Sequence, residues 1–130
     1  ARAERRYLLV PQQGAVQLTR ALDALARMRA RGRVPLERFL AEELPSLGAQ
    51  ASLVVVTPSL ALTWTQALHA LAEHRVQPVV VLVDPTSFGA PGTPALWQDR
   101  LQRMGVLTYG VRQGERLSEA LSEARAGATL

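Results

Sequence analysis

Ser52-Leu53-Val54-Val55-Val56-Thr57-Pro58-Ser59 is an apolar run closed by a proline between two hydroxyls. With no polar alternation at its centre, it suits a parallel strand buried on both faces. Pro58 has no N–H for a ladder, so the strand ends there. Thr57 and Ser59 then stand at the carboxyl end of the strand, the side on which open α/β sheets form ligand crevices.

Downstream, Val79-Val80-Val81-Leu82-Val83 reads as a second fully buried strand ended by Asp84-Pro85, and residues 106–111 as a last one. Leu60, Trp64, Leu68 and Leu71 recur at helical spacing between the two valine-rich runs, with Ser59 or Thr63 as the cap. Residues 86–92 make a Gly-, Pro- and Ser-rich loop, and Thr93-Pro94 opens a helix carrying Trp97, Leu101 and Met104. A final helix is expected to turn Leu117, Ala120, Leu121 and Ala124 inward.

Upstream, residues 6–10 read as a short strand. Residues 15–31 read as a helix whose Leu18, Leu22, Leu25 and Met28 form one apolar stripe, closed by Gly32. Pro35 opens a helix with Leu36, Phe39, Leu40 and Leu44 on its apolar side. Strands alternating with helices predict a single α/β domain over residues 1–130. Its expected architecture is three layers, with a mostly parallel sheet of about four strands, right-handed crossovers and helices on both faces.

The 130 residues are 48% hydrophobic, with a mean hydropathy of +0.04, as in a well-packed globule. There is no cysteine, which excludes disulfides, thiolate nucleophiles and Cys-ligated zinc. All 15 basic residues are Arg, and Lys, Ile and Asn are absent, a bias expected of a G+C-rich bacterial genome. Without Lys there is neither a Walker A loop nor a Schiff base. The apolar runs are too short for a bilayer, so this piece is not expected to span one, and no signal peptide opens the chain. The expected location is cytoplasmic, with a membrane anchor in a region outside this chain left open. The absent initiator Met suggests a piece of a longer protein. The net charge of +4 gathers in the first third, at Arg2/Arg5/Arg6 and at Arg27/Arg29/Arg31/Arg33.

Thr57 and Ser59 suit hydrogen bonds to a ligand or partner carboxylate, but capping of the next helix is the favoured reading. Asp84 either shares that crevice or is a turn former that accepts from an N–H two residues on. Gln12, Gln13, Thr86 and Ser87 complete a candidate contact rim. Ser59, His69 and Asp84 supply the residue types of a hydrolytic triad. The Gly-x-Ser-x-Gly elbow is missing, however, and His69 falls on the polar side of its helix. No catalytic, cofactor-binding or metal-ligating residue is therefore assigned. The Arg20/Arg27/Arg31 stripe is partly neutralised by Asp23 and has no interleaved aromatics. It reads as a solvated helix face rather than a nucleic-acid or lipid contact.

Pro35-Leu36-Glu37, the run from Leu53 to Leu60, Trp64, and the run Val81-Leu82-Val83-Asp84-Pro85-Thr86-Ser87-Phe88-Gly89 together resemble one bacterial family. It is the family of unknown function numbered fifty-eight, whose members are commonly encoded beside MoxR-type AAA+ ATPases. The resemblance is to its carboxyl-terminal half and covers nearly the whole chain. It implies an incomplete von Willebrand factor A-like, Rossmann-like domain that serves as a protein-interaction module for a MoxR-type ATPase. The family fold's metal site takes an Asp-x-Ser-x-Ser motif, which is missing here, and Pro58 stands where an Asp would follow the Thr. The implied module thus lacks an intact metal site and takes no cofactor. The strand order of that fold would leave the Leu53–Thr57 strand at an edge, covered by residues 6–10 folding back or by a second copy in a homodimer. The alternative is a small-ligand-binding or hydrolytic α/β domain using the crevice near Thr57 and Asp84.

Overall fold

The computed structural model describes residue 9 and residues 13–43, 52–72 and 76–122. The chain divides into two compact units, Ala1–Pro35 and Leu36–Leu130. The first contains helix α1 (Ala15–Arg27). The second runs α2 (Leu36–Glu43), β1 (Leu53–Thr57), α3 (Thr63–Ala72), β2 (Pro78–Val83), α4 (Pro94–Arg103), β3 (Leu107–Val111) and the single turn α5 (Leu117–Ala120). A 3₁₀ turn, Pro85–Phe88, lies between β2 and α4. The expected strand over residues 6–10 falls outside the described residues, apart from Leu9.

The three described strands form one all-parallel sheet in the order β1-β2-β3. This is an open, Rossmann-like α/β sheet flanked by helices, with the parallel strands that the alternation of strands and helices predicts. Both crossovers step the same way along the sheet, so connections of one hand set α3 and α4 on the same face. There the indole of Trp64 stacks on that of Trp97, with centroids 5.7 Å apart and planes 17° from parallel. Val55 and Thr57 of β1 pair in register with Val80 and Leu82 of β2, and Val80 with Thr108 of β3. All five are on this covered face, and all are buried. Leu68 and Leu71 of α3, Leu101 of α4 and Leu40 of α2 complete the core, with α2 packed on α3.

The other face differs from expectation. Val54 and Val56 are 58% and 65% exposed, while Val79, Val81 and Val83 are half-buried. β1 is therefore buried on one face only, because the core helices α3 and α4 both lie on the side of Val55. An unbroken valine run does not by itself reveal which of its residues will be covered. Among the described residues β1 pairs only with β2 and is an edge strand.

Helix ends also depart from the sequence expectation. α1 stops at Arg27 rather than near residue 31, and Met28 is already extended (φ −69°, ψ 144°). Continuing the helix would place Arg27 over Arg31, a like-charge pair one turn apart. None of its residues is buried, so the Leu18, Leu22 and Leu25 stripe is exposed. Leu117 and Leu121 are also exposed, contrary to their expected inward position, since one turn of helix is too short to present a stripe. Leu44 and Ala124 lie outside the described residues.

Gly92 closes the loop before α4 at φ 145°, and a Cβ there would collide with the Leu60 side chain. Two outcomes follow. Leu101→Ala should destabilise the chain by about 2–5 kcal/mol, whereas Val56→Thr should stay within about 0.5 kcal/mol, both read by urea denaturation. Gly92→Ala should cost about 1–3 kcal/mol through overpacking and backbone strain.

Candidate functional site

The carboxyl ends of β1 and β2 carry the loops in which most of the candidate residues lie. Thr57 is 6% exposed, and its Oγ1 accepts from the N–H of Ser59 (3.0 Å). Ser59 Oγ accepts from the N–H of Ala61 (3.2 Å), two residues before α3 begins at Thr63. Neither hydroxyl caps the helix; both brace the loop leading into it. The carbonyl of Ser59 in turn accepts from the Trp64 indole N–H (3.1 Å), tying that loop to the core.

Asp84 is the best-partnered group of the rim. Its backbone N–H donates to the carbonyl of Val111 (2.8 Å), extending the sheet contact one residue past β2. Its side chain is buried, at 8% exposure. Oδ1 accepts from the N–H (2.9 Å) and the hydroxyl (2.6 Å) of Thr86, and Oδ2 meets the Arg112 guanidinium at 3.2 Å. This is the Asx-type bond to a residue two positions on, with an ion pair added. Ser87 Oγ donates to the carbonyl of Asp84 (2.7 Å) and accepts from the N–H of Gln113 (2.9 Å). The 3₁₀ turn is thereby fastened to the segment that follows β3. The Arg112 N–H donates to Glu115 (3.0 Å), which holds that segment in its own turn.

Burial acts to raise the pKa of Asp84. Against it stand the hydroxyl and N–H of Thr86, the charge of Arg112 and the N–H of Ser87, and the net result is a carboxyl below its ordinary value. A lowered folded-state pKa means that this stabilisation is complete above the ordinary carboxylate range. It is lost as pH falls through the lowered value.

Thr57, Ser59, Asp84, Thr86 and Ser87 are thus at one end of the sheet, each bonded to near neighbours. Gln13 is exposed in the first unit, and Gln12 lies outside the described residues. His69 is six residues into α3, about 9 Å along the axis from the end that adjoins the rim. A Ser59-His69-Asp84 triad is therefore not assembled. Sequence reasoning missed Arg112 and Gln113, because their link to Asp84 and Ser87 arises only when β2 and β3 pair.

A magnesium site of the kind the resemblance brings to mind does not fit these residues. The oxygens of Thr57 and Ser59 are turned to backbone N–H groups, and Pro58 between them offers no carboxylate. Among the described residues, no three His, Asp or Glu side chains gather closely enough to hold a metal. No described helix is long and apolar enough to cross a membrane. No protein-family model, curated protein or solved structure matches the chain. The fold itself defines the class: an α/β protein with an open, all-parallel, Rossmann-like sheet.

Asp84→Ala should cost about 1–3 kcal/mol at neutral pH, by leaving the Thr86 donors without their acceptor. It should also flatten the fall in stability toward acid pH, measured by denaturation across the acid range. Millimolar Mg²⁺ or Mn²⁺ should leave the melting temperature unchanged, and a saturable, chelator-reversible rise would contradict the misfit of the site.

Proposed function

We propose that the chain is a protein-interaction module that makes contact through the carboxyl-end rim of its sheet, with a MoxR-type AAA+ ATPase as the partner. The observation that carries this reading is Phe88, 58% exposed in a loop held in place at both ends. The Asp84 and Ser87 bonds fasten the loop on one side of Phe88, and the packing of Gly92 on Leu60 fastens it on the other. A pre-ordered aromatic side chain loses little conformational freedom on binding, and interfaces are anchored by such groups. Leu62, in the loop after β1, and Leu96, in the first turn of α4, add exposed apolar surface at the same end of the sheet. The choice of ATPase rests on the motif resemblance, as does a cytoplasmic setting.

The polar residues of the rim shape it rather than touch the partner. A hydrolytic or small-ligand use of the crevice needs available hydroxyls and a reactive carboxylate, and here these groups are bonded to neighbours. A second reading is the pairing of two copies along β1. It is favoured by the edge position of that strand and the exposure of Val54 and Val56, and light scattering tests it, a dimer being the expected outcome.

Capture of the neighbouring ATPase by the protein that carries this chain, with and without ATP and Mg²⁺, tests the association. Phe88→Ser combined with Leu62→Ser should weaken capture roughly tenfold or more while the circular dichroism spectrum stays unchanged. If the folded double variant is captured as well as the parent, this rim is not the contact surface.

A further inference from the structure

Helix α1 has two segregated faces. Leu18, Leu22 and Leu25 line one side, 62%, 58% and 61% exposed, and Arg20 and Arg27 project from the opposite side. Between residues 20 and 33 there are five Arg and one acid, Asp23, which pairs with Arg27 at 3.2 Å. Arg29 and Arg31 follow the helix in exposed, non-helical backbone. Reading the arginine stripe as an ordinary solvated face presupposes a covered leucine stripe, and these leucines are uncovered. Strong segregation, little net hydrophobicity and clustered arginines are the make-up of a helix that lies in a lipid interface.

We propose that α1 and residues 28–33 bind the surface of an anionic phospholipid bilayer. The leucine stripe enters the headgroup–acyl boundary, and Arg29 and Arg31 meet the lipid phosphates. Charge alone would suit nucleic acid equally well. The leucine stripe has no use there, and residues 13–35 contain no aromatic side chain to stack on a base.

Flotation of the whole chain with vesicles of phosphatidylglycerol and phosphatidylcholine in equal parts, against phosphatidylcholine alone, tests the proposal. The expected result is binding to the anionic vesicles that weakens with salt. Arg29→Gln with Arg31→Gln should lower partitioning on the order of thirtyfold. Leu22→Ser with Leu25→Ser should abolish it without lowering the melting temperature. The proposal is overturned by absence of binding to the anionic vesicles, or by equal binding to neutral ones. Binding to a DNA duplex that is as tight and indifferent to the leucine changes also overturns it. So does a loss of thermal stability in the leucine variant, which would show the stripe to be covered in solution.

Discussion

The stack of Trp64 on Trp97 joins the two crossovers of the sheet into one layer. Each ring comes from a different helix, and each is nearly inaccessible to solvent. Together they are among the largest side chains on the covered face, and the aliphatic residues of α3, α4 and β2 fill in around them. An offset aromatic pair adds about 0.5–1.5 kcal/mol beyond the area it buries. The Trp64 indole N–H also reaches the carbonyl of Ser59, so the loop that opens the rim is anchored directly to the core. The loop after β1 is thus positioned by the packing of two rings.

A second level of organisation is polar and local. The bonds of Asp84 converge on one carboxylate from a hydroxyl, a backbone N–H and a guanidinium. Burying an ionised carboxylate is costly unless it is paired and hydrogen-bonded, and here it is both. The return for that cost is geometric. The loop after β2 and the segment after β3 are held to each other, and Phe88 projects from the first of them.

Features governed by local spacing were legible in the sequence. Trp64, Leu68 and Leu71 lie where a helical period puts them, and Thr93-Pro94 marks the start of α4 to the residue. The ends of β1 and β2 follow from Pro58 and Asp84-Pro85. The Asx bond of Asp84 was legible as well, since it spans two residues. What was not legible depends on partners distant in sequence. Val54 and Val55 are chemically identical neighbours, yet one is exposed and the other buried, because only the side of α3 and α4 is filled. The ion pair from Arg112 to Asp84 spans the whole of α4 and β3 and has no sequence signal of its own. The early end of α1 lay within reach of inspection, in the alternating arginines that follow it.

The strand order β1-β2-β3 has a consequence for how the chain assembles. β2 is the partner of both other strands, and each pairing joins residues about 25 to 28 positions apart. Neither pairing can form as a local hairpin, because a parallel partner is reached only after a helix has crossed the sheet. Closing either loop costs entropy before any ladder bond repays it, so α3 and α4 must shorten those loops as the strands meet. The central valine run of β2 is therefore the template on which the sheet is laid down. A lesion in β2 removes both ladders at once, whereas one in β1 or β3 leaves a strand pair standing.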